Sequence, residues 1–423
     1  MSSDALKRAP AVVTLSSLFP HAGEPAAGIF IRERMFRVAQ NLPLTVVAPR
    51  PWFPGQSLIR RVRPNWRPPA VSQERMQGID VLRPRFLAAP GVLRLLDAAS
   101  LARAALPVLR ALRQAGRLDL LDAHFAWPDG VAAAWLGRRL GVPVCVTLRG
   151  TEVPLARHAG RRARMVRALD QVDCVLSVAG ALLEHVRALG ACPRREEVVG
   201  NGVDIERFRP MNRTEARRRL GLPADARVLI GVGGLCERKG FHRVLDILPD
   251  LIAREPRLHY LVAGGASGEG DWGPRLRTQA EALGIGAHVH FLGRVASDEL
   301  RWPLSAADLF VLATRNEGWA NVFLEAMACG LPVVTTDVGG NAEVLSDARL
   351  GHIVAFGDAR GLATAIEAAL AAEWPRDYIR QHAEANAWET RVQRLVQIFE
   401  DLHWQARASL TCPIEPRVGV RSA

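Results

Sequence analysis

The sequence predicts an α/β protein made of two doubly wound domains that face one another across a central cleft. Three observations carry this expectation. Short β-branched runs alternate with longer amphipathic stretches along most of the 423 residues, the pattern of strand–helix units laid on parallel sheets. The alternation comes in two series, broken near 191–210 by Cys192-Pro193 and Gly200-Asn201-Gly202, residues that punctuate regular structure. The length suits two large domains, whereas a single eight-fold barrel of about 250 residues leaves too much chain unplaced.

In the first series, strands are expected at 12–15, 44–48, 118–122, 142–148 and 172–178, with helices between them at 29–40 and 129–140. The second series places strands at 227–232, 259–263, 288–292, 308–312 and 331–335, with helices at 241–254 and 320–329. The division that follows is a first domain over 1–195, a second over 196–390, a helix over 391–410 able to pack back toward the first domain, and a tail over 411–423. Residues 50–90 stand apart. Trp52, Pro54, Arg60, Arg61, Arg63, Trp66 and Arg67 make this stretch read as an insertion unlike the units around it. Open α/β sheets bind ligands at the carboxyl ends of their strands, so the chemistry is expected on loops that directly follow strands.

Composition narrows the function. A hydrophobic share of 49% and a charged share of 23% exclude a disordered chain, a collagen-like fibre or a coiled coil. The net charge of +12 admits nucleic acid, anionic lipid and phosphorylated small molecules as partners without choosing among them. Almost all of the positive charge is arginine; the two lysines are Lys7 and Lys239. The six cysteines form no C-x-x-C pair, so zinc-ribbon and thioredoxin readings lack support and a reducing compartment is expected. The apolar run after Lys7 and Arg8 is too short for a signal peptide, and no stretch of about 18 apolar residues reads as a membrane span. A cytoplasmic protein follows, and its charge is compatible with attachment to the inner face of the cytoplasmic membrane.

Two segments carry the chemistry. The first runs from Thr314 to Gly330 and follows an apolar strand. Glu317 falls on its strand-end loop, and Glu325 lies eight residues on, inside a helix that starts near Ala320. Free amides at such a helix start hold anions such as a diphosphate, and a nearby carboxylate accepts hydrogen bonds from sugar or ribose hydroxyls. A lone helical Glu is ordinarily a solvated residue, but Phe323, Leu324, Ala326 and Met327 around Glu325 are apolar. The second segment is Gly231-Val232-Gly233-Gly234-Leu235-Cys236-Glu237-Arg238-Lys239-Gly240-Phe241. Glycines let backbone approach a ligand closely. Cations are disfavoured at a helix start, so Arg238 and Lys239 in that place point to an anionic ligand. The segment follows neither the dinucleotide pattern G-x-G-x-x-G nor the P-loop pattern. Metal catalysis has no D-x-D triplet or paired His to rest on, and no G-x-S-x-G serine signature occurs.

Together these segments resemble the retaining glycosyltransferase family 4, whose GT-B fold consists of two Rossmann-like domains facing a cleft. Glu317 to Glu325 reproduces its E-x7-E motif, and Gly234 to Gly240 is similar to its G-x-x-x-x-K-G segment. Asn201-Gly202-Val203-Asp204, Phe291-Leu292-Gly293, residues 325–336 and Gly339-Gly340-Asn341-Ala342-Glu343 follow the family order. Coverage of the first half is thinner: Gly28, His124 and Arg149-Gly150-Thr151-Glu152. The resemblance implies that Arg238 and Lys239 pair with the donor diphosphate beside Gly234, that Glu317 contacts hydroxyls of the transferred sugar, and that Glu325 contacts the ribose. Backbone at Ala320, Asn321 and Val322 would approach the phosphates and sugar, with Arg294 near the base. Gly28 would meet the diphosphate from the first domain and His124 would reach the sugar, although a histidine at a strand end is more often structural. Two departures stand out: Trp319-Ala320 replaces the commoner Phe-Gly, and paired glycines near Gly28 are reduced to one.

The implied function is transfer from a UDP- or GDP-sugar, as substrate and without cofactor or metal, to a saccharide or lipid-linked saccharide in exopolysaccharide, lipopolysaccharide or other glycan biosynthesis. Nucleic acid is not an expected partner. A sugar-nucleotide hydrolase or epimerase of the same fold is the alternative, but it should lack an acceptor-side insertion such as 50–90. A non-catalytic sugar-nucleotide-binding protein would be expected to have lost Lys239 or Glu317.

Overall fold

The computed structural model describes residues 8–25, 27–62, 66–89, 91 and 94–411, the side chains of 409–411 excepted. Lys7, Arg63, Cys412 and the tail beyond residue 411 lie outside the described residues.

The first domain holds β1 (Val12–Leu15), β2 (Leu44–Val47), β3 (Arg50–Trp52), β4 (Gln73–Met76), β5 (Ile79–Leu82), β6 (Arg85–Leu87), β7 (Leu120–His124), β8 (Val144–Leu148), β9 (Cys174–Ser177) and β10 (Glu196–Val198). Its main sheet runs β10-β9-β8-β7-β1-β2-β5-β4. Every neighbouring pair is parallel except β4 with β5. The central strands are buried along their whole length, which is why they read as unbroken apolar runs and not as alternating ones. The order reverses between β1 and β7, so a crevice opens at their carboxyl ends.

The second domain holds β11 (Arg227–Val232), β12 (Leu258–Ala263), β13 (Val289–Gly293), β14 (Leu309–Leu312), β15 (Val333–Thr336) and β16 (Gly351–Val354) in the wholly parallel order β13-β12-β11-β14-β15-β16. Here the reversal lies between β11 and β14. The two motif segments are the loops that leave those two strands.

The fold class meets the expectation, but residues 50–90 require a correction. They are not a separate insertion. Residues 73–82 form a hairpin whose second strand, β5, extends the main sheet beside β2. Gln77 (φ 49°) and Gly78 (φ 84°) make its two-residue turn, and positive φ at both positions matches the twist of a tight hairpin. β3 and β6 pair as a small second sheet, and the Gln56–Val62 helix lies between them in sequence.

The helix Trp388–Thr411 closes the molecule on its first domain. Trp388, Val392, Leu395, Ile398, Phe399 and Leu402 share a core with Val12, Ile31, Phe36 and Val46. The chain therefore crosses between domains twice, and the crossings are bonded to each other: Val203 N donates to Asn386 O at 3.1 Å and Trp388 N to Val203 O at 3.2 Å.

Where the domains meet, glycine permits the approach. A Cβ on Gly318 would lie 2.2 Å from the Arg149 carbonyl oxygen, and one on Gly150 would lie 2.8 Å from the Gly318 Cα. Trp319 packs against both cores and lies over Gly200. Glu343 of the second domain accepts from the first-domain amides of Gly180 at 2.7 Å and Ala181 at 2.9 Å, capping the free start of the Gly180–Ala188 helix. Gly318→Ala forces the two strand-end loops apart and is expected to destabilise the protein by about 1–3 kcal/mol, as overpacking does. Gly286→Ala, where a Cβ meets nothing within 4 Å, should stay within about 0.5 kcal/mol. Thermal melting of both variants checks the contrast.

Candidate functional site

The site begins at the end of β14. Glu317 is 7% exposed, and its Oε1 accepts from Lys239 Nζ at 2.7 Å, Thr314 Oγ1 at 2.9 Å and Arg238 Nη1 at 3.2 Å. Arg238 also donates to the Asn316 carbonyl at 2.8 Å, and the Arg315 amide donates back to the Arg238 carbonyl at 2.8 Å. The loops after β11 and β14 are thus stitched together, and the two cations and the carboxylate form one cluster at the reversal point of the sheet. Gly240 makes this register attainable: its φ is 76°, and a Cβ there would lie 1.9 Å from the Ala313 carbonyl oxygen. Gly234 faces the neighbouring loop, with Ser267 Cβ 2.8 Å from where its own Cβ would stand.

The Asn321–Ala328 helix starts beside this cluster with no side chain capping its amides. Ala320 is buried, while Asn321, Val322 and Glu325 are half-buried. Burial pushes the Glu325 carboxyl up to about 7, against the pull of Arg207 and with a further push from Glu33. Arg294, after β13, is exposed and donates to the Ala266 carbonyl at 2.7 Å; it steadies the 264–272 loop beside the cluster.

In the first domain, His124 ends β7 and is wholly buried. Arg149 approaches its Nδ1 from Nη2 at 3.0 Å and Nε at 3.3 Å, and Asp122 Oδ2 lies 3.1 Å from its Nε2. Burial, partly offset by Asp122 and reinforced by Arg149, pulls the imidazole down to about 4, so it is neutral at pH 7 with Nδ1 as acceptor. The structure places no atom of His124 at the surface of the cleft. Gly28 starts the Ile29–Val38 helix at φ 66°, and a Cβ there would lie 2.3 Å from the Leu18 carbonyl oxygen. The backbone alone demands glycine at that position.

Arg149 and Asn201 carry roles that the sequence reading left unassigned. Arg149 Nη1 donates to Asn201 Oδ1 at 2.8 Å, and Asn201 Nδ2 donates to Asn321 Oδ1 at 3.0 Å. A buried polar chain therefore runs from Asp122 through His124, Arg149 and Asn201 to the first turn of the second-domain helix. The sequence signals were the segments Arg149-Gly150-Thr151-Glu152 and Asn201-Gly202-Val203-Asp204, which carried the family likeness without a role for either side chain. The spelling G-x-G-x-x-G does occur once, at Gly268–Gly273, yet Gly268 and Gly270 lie within a Ser267–Gly270 turn and not in a strand-to-helix phosphate turn.

Residues 212–386 match the family model described as Glycosyl transferases group 1, and residues 62–207 match Glycosyltransferase Family 4. The chain is 32% identical over 337 residues to TuaC of Bacillus subtilis, a glycosyltransferase named for teichuronic acid biosynthesis, covering 78% of this chain and 81% of that protein. The chain belongs to glycosyltransferase family 4. A second relative of this glycosyltransferase, the D-inositol 3-phosphate glycosyltransferase of Geodermatophilus obscurus, is 35% identical over 306 residues, 68% of each chain. The GT-B fold recurs in sucrose-phosphate synthase from Thermosynechococcus elongatus (TM-score 0.73, 20% identity, 93% of this chain and 99% of that one). It recurs also in Anabaena HepE in complex with UDP (TM-score 0.70, 20% identity, 92% and 99%).

The Glu325 shift has a stability consequence. The ordinary carboxyl ionises near 4.5 and the folded one near 7, so the folded state prefers the protonated form. This contribution is fully present below about 4.5 and is lost as pH rises through 7. Glu325→Gln is therefore expected to stabilise the glycosyltransferase at pH 8 by about 3 kcal/mol and to change little at pH 4.5. Unfolding curves at the two pH values test the sign.

Proposed function

We propose that this glycosyltransferase moves a sugar from a UDP- or GDP-sugar to a saccharide or lipid-linked saccharide acceptor, with retention of anomeric configuration and without a metal ion. The observation that carries the reading is the cluster of Arg238, Lys239 and Glu317 beside the uncapped start of the Asn321–Ala328 helix. In this reading Arg238, Lys239 and the amides after Ala320 take the diphosphate, and fixed positive charge stabilises it as it leaves. Glu317 and Glu325 accept from the sugar and ribose hydroxyls, and Gly28 and Gly234 let backbone approach the donor. His124, which presents no atom to the cleft, acts through Arg149. Neither glutamate serves as nucleophile: Glu317 Oε1 already accepts three hydrogen bonds, which suits a fixed acceptor. A front-face path remains, in which the departing diphosphate helps deprotonate the acceptor hydroxyl and the cleft aligns the two substrates.

The donor class is supported by HepE, described in complex with UDP-glucose. A polysaccharide acceptor is supported by the naming of TuaC and by WaaG, described as a lipopolysaccharide biosynthesis glycosyltransferase. The test is a panel of UDP- and GDP-sugars with lipid-linked acceptors in excess EDTA, the first product read by proton NMR. The product is expected to keep the donor's anomeric configuration at an undiminished rate. Arg238→Ala combined with Lys239→Ala should weaken binding of UDP or GDP by at least about tenfold, since hydrogen bonds to charged groups contribute about 1.5–3 kcal/mol each. An inverted anomer, loss of activity on chelation, or unaltered nucleotide affinity in the double variant would each count against the corresponding part.

The same reading assigns the acceptor side to an anionic membrane face. No helix among the described residues is long and apolar enough to cross a membrane. Leu58 is 59%, Val62 84%, Trp52 38% and Leu87 58% exposed, next to Arg60 and Arg61. Trp52 and Leu87 are register partners on β3 and β6, so their apolar surface is continuous. Trp66 packs on Phe53 at 5.9 Å and lies under Arg67, which leaves Trp52 as the aromatic anchor. Each cation near an anionic surface contributes about 1 kcal/mol. Flotation with anionic vesicles is expected to fall at high salt and in the Leu58→Glu/Val62→Glu variant; equal flotation on neutral vesicles would remove the electrostatic argument.

A further inference from the structure

The Arg238 guanidinium has another partner that none of the roles above uses. Glu269 grips it two-pronged: Nε lies 2.9 Å from Oε2 and 3.1 Å from Oε1, and Nη2 lies 2.6 Å from Oε1. This is the fork geometry of a strong carboxylate pair. Burial alone would lower the basicity of Arg238, but Glu269 and Glu317 outweigh it and the net shift is upward.

Glu269 is presented by a built loop. Residues 264–272 connect β12 to the Gly273–Ala282 helix, and such connections usually take about two to six residues. Ser267 N donates to Gly270 O at 2.9 Å, Gly270 N to Ser267 O at 3.0 Å, and Glu269 N to Ser267 Oγ at 3.2 Å. The ends are fastened to the motif loop, with Leu235 N donating to Gly265 O at 2.9 Å and Trp272 N to Leu235 O at 2.8 Å. A tight turn thus holds a carboxylate, 49% exposed, against the cation read as the diphosphate ligand. A carboxylate in that fork and a diphosphate oxygen compete for the same N–H groups.

We propose that Glu269 is a release residue of this glycosyltransferase: it competes with the nucleoside diphosphate for Arg238, weakening the hold on the product so that it leaves. The proposal rests on the reading of Arg238 as a diphosphate ligand. It separates ligands by whether they use the fork. A diphosphate that reaches Arg238 must displace or share Glu269, whereas a nucleoside that does not reach Arg238 pays no such penalty.

The experiment uses the full chain with Glu269→Gln, which keeps the shape and one acceptor oxygen but removes the charge. UDP, GDP, uridine and guanosine are titrated by calorimetry, and nucleotide dissociation is timed by stopped flow. The expected result is about three- to tenfold tighter binding of the parent's preferred diphosphate, from the loss of one partly exposed ion pair. The gain should lie in slower dissociation, with a lower donor KM, stronger product inhibition and no rise in kcat; affinity for the nucleosides should not change. In an Arg238→Ala background, Glu269→Gln should give no gain. Glu269→Ala, which removes both charge and acceptor, should tighten diphosphate binding in the same direction. Unchanged or weaker diphosphate binding in Glu269→Gln overturns the proposal alone, since it would make Glu269 an orienting partner of the fork. Failure of the parent protein to bind either diphosphate overturns the donor reading and the proposal with it.

Discussion

A carboxylate withdrawn from water costs several kcal/mol unless donors and positive charge surround it, and Glu317 meets this requirement with groups drawn from two different loops. Thr314 comes from its own loop after β14, while Arg238 and Lys239 come from the loop after β11. Because these strands flank the reversal of the second sheet, satisfying one oxygen fixes the relative position of both motif loops. Gly240 follows from the same constraint. Only a residue without a Cβ can sit against the Ala313 carbonyl and still deliver Lys239 to Glu317. The arrangement also suits the one described lysine of an arginine-rich chain: a compact ammonium on a flexible stem reaches an oxygen that Thr314 and Arg238 already share.

The second dependence is on closeness between the domains. Gly150 meets Gly318, Gly318 meets the Arg149 carbonyl, and Gly340 approaches the Ala179 side chain. These contacts remove the space that side chains and water would otherwise fill. They also carry Arg149 to Asn201 and Asn201 to Asn321, so a cation buried in the first domain is satisfied partly by the linker. Glu343 capping the Gly180–Ala188 helix adds an electrostatic tie at the same seam. Several motif glycines that could be credited to ligand approach are already required by this contact.

Much of this architecture was legible in the residues. The ten expected strands all occur, with ends displaced by a few residues, because fully buried parallel strands are continuous apolar runs that little else imitates. The strands that went unread, β3 to β6, β10 and β16, are short or only partly buried. Glu196-Glu197-Val198 carries no apolar run at all, and the Gln77-Gly78 turn lacks the Asn-Gly or Asp-Gly spelling that announces a hairpin. In the site, the meeting of Arg238, Lys239 and Glu317 was readable because each lies directly after a strand. The burial of His124 and its coupling to Arg149 were not, since they depend on which neighbours β7 and β8 bring together. Glu269 was invisible for the same reason: its partner is set by how far a glycine-rich loop folds back.

The double crossing between domains has a mechanical meaning. A single tether would leave the halves free to tilt and twist about several axes. Two tethers bonded side by side, at Val203 and at Asn386–Trp388, behave as two pins of one hinge, and motion is confined chiefly to rotation about the line between them. Opening such a cleft is then a one-dimensional search, and each closure returns the same pair of strand-end loops to registry. Cutting the polypeptide at either pin would leave the halves joined by the other.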